Sequence, residues 1–198
     1  MTQSSSKTAI LILAAGASSR MSVPKQTLRW GSHTLLQHSL DQALAANADE
    51  TFVVLGAHFE AIKPLVECTE AQVLFNPNWQ QGMGASIAFG IERIQTQGYT
   101  QALIMLCDQP SIDTRYLNRM IDAHAELQST VATQYDDDHV GVPAMFDQLM
   151  FATLMQLNED KGAKKLLNSP NVEVKTLKPS TPLFDIDTPN DYRRYKPL

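Results

Sequence analysis

Ile10-Leu11-Ile12-Leu13-Ala14-Ala15-Gly16-Ala17-Ser18-Ser19-Arg20-Met21, with Pro24-Lys25-Gln26 close behind, decides how the rest of the chain is read. From residue 8 to residue 14 the run is almost continuously apolar and then breaks at Gly16, as a strand buried on both faces does. Small residues at Ala14, Ala15 and Gly16 let backbone N–H groups approach a ligand closely. Ser18 and Ser19 offer hydroxyl or backbone donors. Arg20 presents a planar fork to phosphate oxygens, and Lys25 a compact charge to a departing pyrophosphate. The stretch is neither the G-x-G-x-x-G dinucleotide fingerprint nor the G-x-x-x-x-G-K-[ST] P-loop. A plain strand-to-helix turn with two surface cations is the competing reading.

A second strand end answers the first. Ala102-Leu103-Ile104-Met105-Leu106-Cys107-Asp108-Gln109-Pro110 closes an apolar run on a lone carboxylate. Asp108 escapes a costly burial there only by facing a cation or hydrogen-bond donors, which favours Mg²⁺ or a ligand over a helix cap. Asp185-Ile186-Asp187-Thr188-Pro189 stands near the C-terminus. If extended, it turns Asp185 and Asp187 to one side, and one of them would complete an oxygen-rich Mg²⁺ site with Asp108. An Asp cap ahead of a first-turn proline explains the same residues. Cations for phosphates and carboxylates for a metal together point to nucleotidyl transfer.

Composition sets the frame. With 198 residues and 43% hydrophobic content, the chain suits one α/β domain over 1–198, residues 1–7 forming a polar, flexible tail. A net charge of -5 argues against a nucleic-acid or anionic-membrane binder. Cys68 and Cys107 supply neither a zinc spacing nor a disulfide framework, which suits a cytoplasmic home. The first apolar run is too short to span a bilayer and reads as a strand, not a signal peptide.

Periodicity predicts strands at 8–14, 51–55, 71–75, 101–106, 130–134 and 172–177. It predicts helices at 34–46, 59–66 (weakened or restarted at Pro64), about 82–95, 113–127, about 147–157, 163–167 and 190–195. Such alternation implies a three-layer α/β fold with a mostly parallel sheet, whose ligands gather beyond the carboxyl ends of the strands.

Other motifs carry less. Gly82-Met83-Gly84-Ala85-Ser86 would admit a base or ribose, although a helix start explains it equally well. Trp79 reads better as a partly buried wedge than as a stacking platform. Cys107 reads as packing, having no basic neighbour in sequence. Asp136-Asp137-Asp138 reads as a solvated turn. Residues 143–146 lead toward a helix or form a hydrophobic strand edge, and Gly141 to Phe146 would wall an acceptor site. Lys161 stands where it would meet an anionic substrate. His38, His58, His124 and His139 share no metal spacing, and no G-x-S-x-G elbow exists.

The order Leu13-Ala14-Ala15-Gly16, Ser19-Arg20-Met21, Pro24-Lys25, Gln81-Gly82-Met83, Leu106 to Pro110, Gly141 to Phe146, Lys161-Gly162-Ala163 and Asp185 to Pro189 resembles the MobA-like nucleotidyltransferase family. Within it, the set is most similar to the branch of molybdenum-cofactor cytidylyltransferases. The resemblance implies a Rossmann-like domain in which Leu13, Ala14, Ala15, Gly16, Ser19, Arg20, Lys25, Gly82, Ser86 and Asp108 surround the nucleotide. It implies Mg²⁺ on Asp108 and Asp187, catalysis by Arg20, Lys25, Asp108 and Asp187, and an acceptor held by Gly141, Pro143, Lys161 and Gly162. Ala15 replaces a glycine usual in the guanylyltransferase branch, which points to cytidine. Ser22 replaces the glycine usual after Arg-Met, and Gly84 a serine frequent in the cytidylyl branch. The expected reaction joins CMP from CTP to the terminal phosphate of molybdopterin or the molybdenum cofactor, with a xanthine dehydrogenase-type molybdoenzyme as recipient. GTP, a sugar-phosphate acceptor, or a non-catalytic nucleotide- or cofactor-delivery role are the alternatives.

Overall fold

The structure of the chain is a computed structural model that describes residues 6–136, 139–158, 160 and 162–197. Lys161, Asp137 and Asp138, each part of a motif above, lie outside the described residues.

Seven strands make the central sheet. They are β1 (Thr8–Ala14), β4 (Glu50–Leu55), β5 (Gln72–Phe75), β6 (Gln101–Leu106), β7 (Thr130–Gln134), β8 (Val140–Asp147) and β9 (Val174–Leu177), in the order β5-β4-β1-β6-β8-β7-β9. Every residue of β1 is buried, and β1 runs parallel to β4 on one side and β6 on the other. Its alternation feeds two cores. Ile10, Ile12 and Ala14 pack with α1 (Leu35–Leu44), α2 (Phe59–Glu67) and α4 (Thr114–Leu127). Ala9, Leu11 and Leu13 pack with α3 (Met83–Thr96), α5 (Gln148–Leu154) and α6 (Lys164–Leu167). The centre of the sheet is therefore covered on both faces, and β1, β4 and β6 read as largely apolar runs for that reason.

Two local expectations are corrected, and of the two readings of residues 143–146 the strand is the one found. Residues 143–146 belong to β8, which runs antiparallel between β6 and β7, with Leu103 opposite Met145 and Ala102 opposite Phe146. Burial on both faces selects strand there, and the helix starts only after Asp147, whose side chain caps it by accepting from Leu149 N–H (2.8 Å). That helix ends at Leu154, short of 157. Pro64 neither breaks nor restarts α2, because its ring lies on the exposed side, where water can satisfy the freed carbonyl.

A small hairpin gave no periodic signal. β2 (Arg29–Trp30) and β3 (His33–Thr34) pair around Gly31, and Trp30 joins Leu35 and Ile186 in a third, small core. α7 (Pro189–Tyr195) docks beside it, where Tyr192 donates from its hydroxyl to Arg29 O (2.7 Å). Its cap is Thr188, which forms a reciprocal capping box with Asp191. Neither Asp185 nor Asp187 is occupied as a helix cap.

Candidate nucleotide site

The loop after β1 is closed by a residue that the sequence reading left without a role. Gln26 is wholly buried, and its side-chain N–H₂ donates to Ala14 O (2.8 Å) and Gly16 O (3.0 Å). Ser18, in the left-handed region at φ 55°, donates to Gln26 Oε1 (3.3 Å) and accepts from Lys25 N–H (2.9 Å). A buried amide must find partners, and here it finds the carbonyls of the loop it closes. The loop is held open for a ligand by its own sequence.

Lys25 reaches from that loop to the end of β6. Its ammonium contacts Asp108 Oδ2 and lies 3.1 Å from Asp187 Oδ1, while Arg20 Nη2 lies 3.2 Å from Asp187 Oδ2. Burial alone would lower the Lys25 pKa, but Asp108 above all, and Asp187 behind it, hold the ammonium above its ordinary value. Ile186 N–H donates to Asp108 O (2.9 Å), so the C-terminal segment is pinned to the strand end that carries Asp108. Arg20 is largely exposed, and its ion pair is strongly screened.

Asp108 Oδ1 is buried without a hydrogen-bond partner. A buried carboxylate oxygen aimed at nothing, beside a second carboxylate on Asp187, fits a hard divalent cation. Among the described residues no cluster of three His, Cys, Asp or Glu offers a full metal cage. Two protein oxygens, with phosphates and water for the rest, match the way Mg²⁺ sits among nucleotide phosphates.

A cleft of about 490 Å³ opens over this cluster. Leu13, Ala14, Ala15, Gly16, Ser19, Arg20, Lys25, Gly82, Ser86 and Asp108 all line it, and Asp187 meets it through Arg20 and Lys25. Gly82, with φ 100°, caps α3, and a Cβ there would stand 2.3 Å from Asp160 Oδ1. Ser86 is buried and accepts from Asn76 Nδ2 (3.1 Å). Trp79 is half-buried, as a wedge should be, and it also forms part of the cleft wall. Its place depends on Gly56, where a Cβ would fall 2.4 Å from Trp79 Cβ and 2.9 Å from Ala15 O. Gly56→Ala is expected to destabilise the fold by roughly 1–3 kcal/mol and to weaken nucleotide binding, checked by thermal unfolding with and without nucleotide.

A second hollow of about 470 Å³ adjoins the first, and the two share Met83, Leu106 and Asp160. Of the expected acceptor residues that are described, Gly141 lines it, together with Val142 of the same expected wall, while Pro143 and Gly162 do not. Pro143 is buried within β8, its carbonyl accepting from Thr133 Oγ1 (2.7 Å). Gly162 packs under Met83 and faces a different hollow. The residues that do line it include Gln109, Tyr135, Lys164 and Asp185, none of which carried a motif for an acceptor. Burial, with the Asp185 carboxylate adding to it, raises the Tyr135 hydroxyl well above its ordinary range. Desolvation, then the nearby Asp108 and Asp187 carboxylates, raises Asp185 against the opposing hydrogen bond from Gln109.

Cys107 is packing material. Burial, with Asp108 adding to it, pushes its thiol up to about 12, and the opposing pull of Lys25 is smaller. At pH 8 iodoacetamide is expected to label one thiol per native chain, the exposed Cys68, and a second only on unfolding, as read by intact mass. The histidines stay apart, each with its own partner: Asp41 for His33, Pro110 O for His38, Ala17 O for His58, Ser129 O for His124 and Asp136 for His139.

A mostly parallel sheet whose strand ends bring a small-residue loop, two cations and two carboxylates around one cleft defines an α/β enzyme that handles nucleotide phosphates. The model of the MobA-like NTP transferase domain matches residues 10–174, and the chain belongs to that family of nucleotidyltransferases. The chain is similar to the purine catabolism protein PucB of Bacillus subtilis, 28% identical over 193 residues that cover 92% of each chain. It is similar, at 27% over 164 residues and 79% of each chain, to the nicotine blue oxidoreductase of Paenarthrobacter nicotinovorans. Among solved structures, Rv0371c of Mycobacterium tuberculosis superposes with a TM-score of 0.85 at 31% identity, covering 96% of both chains, and has also been solved as a manganese complex. No helix among the described residues is long and apolar enough to cross a membrane.

Proposed function

We propose that this nucleotidyltransferase moves CMP from CTP to the terminal phosphate of molybdopterin or its molybdenum form, releasing pyrophosphate. The observation that carries the reading is the contact of one ammonium, Lys25, with both Asp108 and Asp187 at the mouth of a cleft that adjoins a second hollow. The acceptor phosphate oxygen attacks the α-phosphorus, a new P–O bond forms, and the bond to the β-phosphate oxygen breaks. A phosphate monoester is already largely ionised near neutral pH, so the site needs no strong base. Its task is alignment and charge stabilisation.

Arg20 and Lys25 grip the β- and γ-phosphates and stabilise the charge that leaves with them. Asp108 and Asp187 would hold Mg²⁺, which when bound supplies Lewis-acid polarisation and screens the nucleophile from the triphosphate. The manganese complex of Rv0371c supports a divalent cation in this family. Ala15 in the loop favours cytosine over guanine by resemblance. The free Cys68 and Cys107 suit a reducing cytoplasm, and a xanthine dehydrogenase-type molybdoenzyme is the proposed recipient.

The test incubates the protein with molybdopterin, Mg²⁺ and each of CTP, GTP, ATP and UTP, and reads pyrophosphate and the joined product by mass. CTP is expected to lead. Nucleotide binding without pyrophosphate from any of the four would overturn catalysis in favour of a delivery role.

A further inference from the structure

Gln109 is almost fully buried at the end of β6, one residue beyond Asp108. Its side-chain N–H₂ donates to Asp185 Oδ1 (2.9 Å) and to the Tyr135 hydroxyl oxygen (2.6 Å), and Tyr135 in turn donates to Val142 O. The orientation of the amide follows from its partners. An ionised carboxylate only accepts, and the single Tyr135 proton is committed to Val142, so both amide N–H bonds must face them. The consequence is that Gln109 Oε1 is buried without a partner. Such an orphan is destabilising, and a leucine or methionine in its place would avoid it. Its two N–H bonds, one of them to a carboxylate, are therefore made at the cost of one orphaned acceptor.

What it holds together is the second hollow. Gln109, Tyr135, Val142 and Asp185 all line that space, and they come from three separate segments: the end of β6, the β7–β8 connection with its return strand, and the C-terminal strap. Along the strap, Ile186 is wholly buried with Trp30 and Leu35, so the carboxylates on either side diverge in duty. Asp187 goes to Arg20 and Lys25 at the nucleotide cleft. Asp185 goes to Gln109 at the neighbouring hollow, whose remaining wall includes the apolar Leu106, Val140 and Val142.

We infer that Gln109 is a positioning residue for the acceptor, fixing Asp185 so that its remaining lone pairs receive N–H donors from a flat, amino-substituted heterocycle seated against the apolar wall. Each carboxylate oxygen has two lone pairs, so the bond from Gln109 leaves capacity on both oxygens for a donor pair. The inference rests on the function proposed above, because it takes the second hollow as the acceptor's.

The experiment is a double-mutant cycle on the full chain with CTP, Mg²⁺ and molybdopterin, using Gln109→Leu, Asp185→Asn and their combination. Gln109→Leu keeps the bulk and removes both N–H donors. It is expected to raise KM for the acceptor by about tenfold or more, leaving kcat and KM for CTP near wild type. Asp185→Asn is expected to do the same, and the pair to be no worse than the worse single variant, since Gln109 acts through Asp185. Effects that add, an acceptor KM that does not move, or parallel losses in CTP KM and kcat would each overturn the inference while the proposed reaction stands. A wild-type protein that forms no joined product brings down the proposed reaction and this inference with it.

Discussion

Asp108→Asn is expected to lower turnover by about 10²–10³-fold, equivalent to roughly 3–4 kcal/mol of transition-state stabilisation. Asparagine keeps the size of the side chain and still offers an oxygen to Lys25. It removes the charge that, with Asp187, would hold the metal at the reacting phosphate. Folding should suffer less. Lys25 retains Asp187 at 3.1 Å, so its ammonium is not left alone, and a loss below about 2 kcal/mol is anticipated. Steady-state pyrophosphate release and chemical unfolding of the same preparation decide the matter. If stability and turnover fall by equivalent free energies, Asp108 is a structural anchor for Lys25 and the C-terminal strap.

The second large effect is expected at Lys25, and it has two opposite signs. Lys25→Met removes the ammonium that, in the proposed reaction, would grip the departing phosphates, and turnover should fall by about 10²-fold or more. The same ammonium lies between Asp108 and Asp187, where a divalent cation would have to sit. Removing it leaves Asp108 without its cation and Asp187 with only the exposed, screened Arg20, which destabilises the fold in the absence of metal. Mn²⁺ should then bind the nucleotide-free variant roughly tenfold more tightly than wild type and raise its Tm more. Electron paramagnetic resonance titration of free Mn²⁺ reads the first and thermal unfolding the second. Weaker or unchanged Mn²⁺ binding in the variant would show that Asp108 and Asp187 are not the cation's ligands.

Much of this architecture is legible in a single chain because burial leaves a local trace. Residues 8–14, 101–106 and 130–134 have the same bounds as β1, β6 and β7: the first two are largely apolar because both faces are covered, and the third carries β-branched residues that suit a strand. The charged side chains were legible too. Arg20, Lys25 and Asp108 stand where apolar runs end, and a charge at such a place needs a partner.

What the sequence determined by itself was the alternation of strands and helices and the chemistry at two strand ends. Only the tertiary structure decided that β8 enters antiparallel between β6 and β7, because its pairing with β6 joins residues about forty positions apart and leaves no local period. Only it assigned work to Gln26 and Gln109, whose amides are unremarkable in sequence and acquire meaning from distant carbonyls and carboxylates. It also split Asp185 from Asp187. Both face away from the buried Ile186, as alternation requires, yet each finds a different partner, since side-chain direction is local and the identity of a neighbour is not.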